Sequence, residues 1–332
     1  MHIHDTCNAV YIRGLTKNKT GAAGGERSFM RKKTLFISIG VIGAFLYIIG
    51  SVASSWAELS ALEIKRIEKA IGKVKSEARG TKGEGYREIQ AIGANAGPYL
   101  AEALDDKSLT TESRKLICEL LGELRVKEGV APLIYNLKNK TETIRAAACK
   151  SLGMIKDPQA IDPLIGMLSD ENSWAREEAI YALMEFDIKT PPAIADLLRD
   201  QKDTVRLAAI KFLNKKLDPS TAKAIGEALA KDKSDNVRAI AAKTLGELKD
   251  KAAVDILMEV VTEDTYSAAR QEAAVALGKI GDQKAISSLI KALKDDYKDI
   301  QLSAAQSLKN ITGQDFGRDY EKWVAWFEEQ SR

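Results

Sequence analysis

The feature that most constrains this chain is a pattern, DKSDNVRAIAAKTLGEL at residues 232–248, that recurs along most of the sequence. We take Arg238 as the register mark of this pattern. The equivalent positions are Arg114, Arg145, Arg176, Arg206, Arg238, Arg270 and Gln301. These seven marks are 30 to 32 residues apart. A spacing this regular defines an internal repeat.

Each repeat contains an amphipathic helix around its mark. A leucine stands seven residues after every mark, and small or aliphatic residues stand three and four after it, such as Ala179 and Ile180. Offsets 0, 3, 4 and 7 lie on one face of an α-helix. A shorter apolar segment precedes each mark, as in AIDPLIGML and AVDILMEVV. The unit is therefore helix, turn, helix in about 31 residues, which predicts an all-α solenoid.

An aspartate stands six residues before the mark in five registers, at Asp170, Asp200, Asp232, Asp264 and Asp295. Ser108 and Asn139 take this place in the first two registers. This pairing of aspartate and arginine resembles the HEAT repeats of the short, phycobilisome-lyase-like bacterial type, over roughly residues 82–312.

The resemblance implies a right-handed α-α superhelix in which aspartate and arginine side chains form a ladder between neighbouring repeats. It assigns ladder roles to the five aspartates and to four marks, Arg176, Arg206, Arg238 and Arg270. Because Gln301 replaces the last arginine, we expect the last rung to be weak or missing.

Residues 1–29 show neither helical nor strand periodicity and include the glycine-rich GAAGG. They are predicted to be disordered or to be an upstream extension, with the true start at Met30 instead of Met1. Both histidines lie here, and with an aspartate and a cysteine they could form a metal-binding patch, at His2, His4, Asp5 and Cys7. An extension from a misplaced start codon is the alternative to such a patch.

Residues 30–57 read as an export signal. The basic MRKK is followed by the apolar TLFISIGVIGAFLYIIG and then by the small-residue segment SVASSWA. Ser55 and Ala57 predict cleavage before Glu58. The alternative is an uncleaved anchor, with residues 34–52 in the membrane, because an apolar run of this length reaches the lower limit of a bilayer span. In both cases the body is expected outside the cytoplasm, in the periplasm or attached to the inner membrane by one N-terminal helix.

Helical periodicity resumes over residues 58–80 and predicts an N-terminal capping helix, since the first repeat of an array has an open end. The glycine-rich GTKGEG at 80–85 predicts a loop at the start of the array, which is assigned to residues 81–312. A C-terminal capping helix is predicted within 313–332. Four aromatic residues fall on one face of this helix, Tyr320, Trp323, Trp326 and Phe327.

Cys118 and Cys149 stand four residues after their marks in adjacent repeats. Equivalent residues on packed helices are ~8–10 Å apart, which is too far for a disulfide. The spacing therefore predicts two buried free thiols, with a disulfide as the alternative.

Composition argues against several function classes. Residues 58–332 carry 43 basic and 45 acidic residues, so this part has no electrostatic footprint for nucleic acid. No histidine follows residue 4, so the repeats lack the commonest general base and metal ligand. They also cannot carry the paired His-Glu motifs that make one HEAT-repeat family an iron hydroxylase. We therefore predict no catalytic residue, metal or cofactor.

The function predicted is a non-enzymatic scaffold or adaptor that binds a protein or peptide. The alternative is a lyase-type enzyme, or a chaperone for cofactor attachment, because this repeat type resembles the bilin lyases. That activity requires a cytoplasmic setting, which the export signal contradicts.

In arrays of this family the second helix of each repeat lines the concave side. Offset 5 is an exposed position on that helix, at about 140° from the mark. It holds lysine or tyrosine in the middle of the array, and Trp174 adds an aromatic anchor in the same repeat as the tyrosine. The predicted binding surface is Lys150, Trp174, Tyr181, Lys211 and Lys243. It would suit an extended acidic segment, and the alternative is a set of ordinary solvated lysines.

Overall fold

The computed structural model describes residues 59–78 and 80–330, and its helices lie in the unit that begins at Ala61. The described residues form helices without any strand, so the chain is an all-α solenoid as predicted. None of the described helices is long and apolar enough to cross a bilayer. The segments predicted at 1–29 and 30–57 lie outside these residues.

Two helices precede the repeats, α1 (Ala61–Lys75) and α2 (Thr81–Ile92). The first helices of the repeats are α3 (Gly97–Ala103), α5 (Val130–Asn136), α7 (Ile161–Met167), α9 (Pro192–Asp196), α11 (Ala222–Lys231), α13 (Val254–Glu263) and α15 (Ile286–Ala292). The second helices are α4 (Thr111–Glu123), α6 (Glu142–Ile155), α8 (Ser173–Met184), α10 (Asp203–Lys216), α12 (Asp235–Leu248), α14 (Ser267–Ile280) and α16 (Lys298–Thr312). The last helix is α17 (Tyr320–Gln330).

The buried face of the second helices is wider than the four offsets predicted from the sequence. Residues one before the mark are buried in every repeat, from Ser113 to Ile300, and so are residues six after it, from Leu120 to Ser307. The extra burial arises because each second helix packs against its own first helix and against the neighbouring second helices, which lie on both sides except at the two ends of the array. The marks themselves are polar and belong to the edge of this face.

Glycine allows the second helices to approach closely at several of these contacts. It stands eight residues after the mark in four repeats, at Gly122, Gly153, Gly246 and Gly278. A Cβ atom at Gly246 would lie 2.6 Å from the Cα of Ala276 on the next second helix. Any side chain at this position would therefore push two helix backbones apart.

The predicted loop at 80–85 is wrong. Apart from Gly80, these residues belong to α2, which begins at Thr81, and the turn between α1 and α2 lies before them. Gly85 reflects packing, because a Cβ at this position would lie 2.6 Å from the carbonyl oxygen of Ala70 on α1. Glycine in this segment permits a tight helix crossing within a regular helix.

The C-terminal helix α17 buries one of its four aromatic residues completely. Trp323 has no exposed surface, and its Nε1 donates to the carbonyl oxygen of Gly317 at 2.9 Å. The Phe316 ring meets it edge-on with centroids 4.9 Å apart. The ammonium of Lys294, just after α15, lies 3.5 Å from the ring centroid of Tyr320. Trp323 is therefore the buried residue of α17, while Tyr320 contacts the end of the last repeat.

Cys118 and Cys149 are buried free thiols, as predicted. Burial raises the pKa of Cys118 to about 12, and burial also raises the pKa of Cys149. Both cysteines are packing residues in this fold.

Candidate functional site

The ladder consists of bidentate ion pairs across the repeat junctions of the described chain. In each pair the arginine Nε and Nη2 donate to both carboxylate oxygens of an aspartate at 2.7–3.1 Å. The pairs are Arg145–Asp170, Arg176–Asp200, Arg206–Asp232, Arg238–Asp264 and Arg270–Asp295. The aspartate side chains are 3–9% exposed. Planar, two-point contacts of this kind are the strong form of a charged hydrogen bond.

Each arginine pairs with the aspartate of the following repeat, not with the aspartate six residues before it. The earlier aspartate contributes its backbone instead: Arg206 Nη1 donates to the carbonyl oxygen of Asp200 at 2.8 Å. Asp232 then pairs with Arg206, and its Oδ1 also accepts the N–H of Ser234 at 2.8 Å. One arginine thus connects two successive turns.

The first end of the ladder differs from the expectation, and the last end agrees with it. Arg145 was missing from the predicted set, yet it forms the first rung, with Asp170. Gln301 forms no rung, but its Nε2 keeps the contact with the Asp295 carbonyl oxygen at 2.6 Å. Asp295 itself is fully paired because its partner is Arg270.

Two ladder carboxyls have perturbed pKa values. Burial pushes the pKa of Asp264 up, but the hydrogen bonds from Arg238 and from a backbone N–H, together with the nearby guanidinium charges, lower it overall. The same balance, with Arg270 as the donor, places the pKa of Asp295 below its ordinary value. At Asp264 and Asp295 the surroundings therefore favour the ionised carboxylate despite its burial.

The predicted binding residues come together on the exposed side of the second helices. Trp174 on α8 is 40% exposed, and its Nε1 donates to Oε1 of Glu178 at 3.1 Å. Burial raises the pKa of Glu178, while this hydrogen bond and the positive charge of Lys150 act in the opposite direction. Glu178 thus accepts a hydrogen bond from Trp174 and is influenced by the charge of Lys150 in the preceding repeat. Glu178 was not in the predicted set, although its position four residues after Trp174 was a usable signal.

The other predicted residues continue this surface toward α12. The ammonium of Lys211 lies 6.0 Å from the ring centroid of Tyr181 in the preceding repeat. Lys243 is exposed on the next second helix. None of Lys150, Lys211 and Lys243 forms an ion pair with the described residues. We call these residues, with Trp174, Glu178 and Tyr181, the second-helix face.

The second-helix face is not uniformly basic. Besides Glu178, it is bordered by Glu247, which pairs with Lys279 at 2.7 Å. Among the described residues, no group of three or more His, Cys, Asp or Glu side chains is arranged to hold a metal ion. The face therefore offers aromatic surface and mixed charge to a ligand.

The family model described as HEAT repeats matches residues 97–184 and 222–309, just over half of the chain. The chain belongs to the HEAT-repeat family. The interval between the two matches contains the shortest first helix of the described HEAT repeats, α9, which has five residues and begins at Pro192.

Solved structures share this fold. The Escherichia coli protein YibA is 22% identical with a TM-score of 0.57, over 76% of this chain and 98% of YibA. An engineered protein is 22% identical with a TM-score of 0.54, over 78% of this chain and 81% of its own. Importin β is 14% identical with a TM-score of 0.54, over 74% of this chain and 40% of importin β. At these identities the similarities show the fold alone. No curated protein matches the sequence.

Proposed function

We propose that this HEAT-repeat chain is a non-enzymatic scaffold that binds a protein or peptide along the second-helix face, on the concave side of the solenoid. HEAT repeats form scaffolds for protein interaction. The observation that carries the proposal is the partly exposed Trp174, held by Glu178 and followed on the same helix by Tyr181. Tryptophan and tyrosine are enriched among the residues that dominate binding energy at protein interfaces.

The lysines suggest the partner's chemistry. Since Lys150, Lys211 and Lys243 have no ion-pair partner among the described residues, they can pair with carboxylates of a ligand. An extended segment that carries an apolar residue against Trp174 and acidic residues along the lysines would match the face. Such contacts steer association and set specificity more than they add affinity.

The test uses a partner recovered by photo-crosslinking from position 181 of the full-length chain. Changing Lys150, Lys211 and Lys243 together to glutamate should weaken its binding at least about tenfold and reduce its salt dependence. The matched control changes three exposed lysines at or just after first helices to glutamate, at Lys138, Lys223 and Lys291. If both variants lose affinity for the partner equally, or if only the control loses affinity, the interface does not lie on the second-helix face.

We further propose that the scaffold works outside the cytoplasm and is of the phycobilisome-lyase-like bacterial type, carried by an export signal or anchor at residues 30–57. The basic MRKK and the apolar run after it support this location. A reporter active only outside the cytoplasm, fused after residue 80, should be active. Activity of the opposite reporter would contradict export and would favour the lyase-type alternative. Mass spectrometry of the mature N-terminus distinguishes cleavage before Glu58 from an intact anchor.

A further inference from the structure

The ladder has a gap between its first two repeats. Asn139 stands there in place of an aspartate and makes the same backbone contacts as the ladder aspartates. Its Oδ1 accepts the N–H of Thr141 at 3.0 Å, and its carbonyl oxygen accepts Arg145 Nη1 at 2.9 Å. The difference is the second side-chain atom, because an amide NH2 donates where a carboxylate oxygen would accept.

Arg114, the mark of the first repeat, consequently has no carboxylate partner among the described residues. A guanidinium and an amide NH2 are both donors, so they cannot bond to each other. Arg114 instead turns to its own repeat, where Nη1 and Nη2 donate to the carbonyl oxygens of Leu104 and Asp106 at 2.6 Å each. Its Nε has no hydrogen-bond acceptor in the described part of the chain.

A cleft of about 740 Å³ lies at this junction, between the two inter-helix loops. Arg114 and Asn139 line it together with the exposed Lys107 and Lys140, and Asp105 is the one acidic residue of its described lining. The corresponding cleft at the Arg206–Asp232 junction is lined by four basic and four acidic residues. The first cleft therefore carries an excess of positive charge that the equivalent cleft lacks.

We propose that this cleft binds a carboxylate side chain of an acidic polypeptide segment. The carboxylate takes the place that an aspartate of the chain itself holds at the other ladder junctions, accepting from Arg114 and from the Asn139 amide. A polypeptide also has backbone N–H groups, which can donate to an oxygen atom at the border of the cleft. Asn136, which borders the cleft, has a buried Oδ1 without a donor among the described residues. The partner class rests on the proposed scaffold function, but the surface is distinct from the second-helix face.

The test measures binding of a fluorescein-labelled tetra-aspartate peptide to the full-length chain by fluorescence anisotropy. Asn139→Asp supplies the carboxylate from within the chain, so it should weaken peptide binding at least about tenfold while raising the melting temperature. Arg114→Gln removes the guanidinium and should weaken binding similarly. The mirror change, Asp170→Asn, opens the equivalent position at Arg145 and should add a second binding site. Unchanged affinity in both Asn139→Asp and Arg114→Gln overturns the proposal.

Two controls separate this site from other anion sites. The triple glutamate variant of Lys150, Lys211 and Lys243 should bind the tetra-aspartate peptide within about twofold of the unmodified chain. Loss of binding in that variant alone would place the peptide on the second-helix face. That result would refute the proposed binding cleft but would still agree with the proposed scaffold function. Displacement of the peptide by inorganic phosphate at a lower concentration than by unlabelled tetra-aspartate would overturn the carboxylate assignment.

Discussion

Removing one ladder arginine should destabilise the solenoid far more than removing an exposed arginine of the same repeat. In Arg206→Ala, Asp232 loses both guanidinium contacts and keeps the Ser234 N–H, while the Asp200 carbonyl oxygen loses its donor. The Asp232 side chain is 3% exposed and that of Arg206 is 14% exposed. Removing one partner of a buried ion pair lowers the free energy of unfolding by about 3–5 kcal/mol because the other charge remains buried and uncompensated.

Water can enter the space that the guanidinium vacates, so we expect a loss of about 2–4 kcal/mol in the free energy of unfolding. The matched control is Arg199→Ala, which breaks the pair with Glu227, where the two side chains are 68% and 41% exposed. An exposed ion pair contributes little because solvent screens it. The control should therefore unfold like the unmodified chain.

The assay is urea unfolding followed by far-ultraviolet circular dichroism, with the same variants melted thermally. A double variant, Arg206→Ala with Asp232→Asn, removes the orphan charge and should recover part of the loss. If Arg206→Ala and Arg199→Ala unfold alike, the ladder is a solvated surface network and the reasoning from burial is wrong.

Three further predictions concern packing and pH. Gly246→Ala should lower the free energy of unfolding, measured in urea, by about 1–3 kcal/mol because its Cβ would lie 2.6 Å from the Ala276 backbone. The control, Gly226→Ala in α11, has nothing within 4 Å of the added Cβ and should raise the free energy of unfolding by up to about 1 kcal/mol. Trp323→Ala should lower the free energy of unfolding by about 3–5 kcal/mol and lower the melting temperature, since the ring is fully buried. An unchanged melting temperature would show that α17 does not stabilise the end of the array. The lowered pKa of Asp264 contributes stability that is present above the ordinary carboxyl pKa of about 4 and is lost as pH falls through the pKa of the folded state. The free energy of unfolding should therefore decline below about pH 4. Asp264→Asn should make that decline less steep.

Much of the fold could be predicted because its signals are local. The mark spacing, the leucine at offset 7 and the apolar stripe depend on residues within one repeat, and they predict the helices that the structure contains. Glycine was less informative from sequence alone, since Gly85 and Gly246 occur in regular helices. In both cases the reason for glycine is a second helix backbone that the local sequence does not reveal.

The candidate sites depend more on what lies across a repeat junction. The proximity of Tyr181 and Lys211 could be predicted because equivalent offsets on stacked helices are neighbours. The hydrogen bond between Trp174 and Glu178 could be predicted from their four-residue spacing, whereas the burial that raises the pKa of Glu178 could not. The cleft at Arg114 was likewise not predictable from its own repeat, since the residue that makes it different is Asn139 in the next one.

The sequence by itself determined the repeat unit and the all-α class, because each of these depends on short-range periodicity. It did not determine the pairing. Arg206 stands six residues after Asp200 and 26 before Asp232, and both spacings are nearly constant along the chain. Only the stacking of repeats places the carboxylate of the following turn against the guanidinium, while the closer aspartate presents its carbonyl oxygen. Tertiary structure therefore decided that the ladder links successive repeats, and it also decided where a rung is absent.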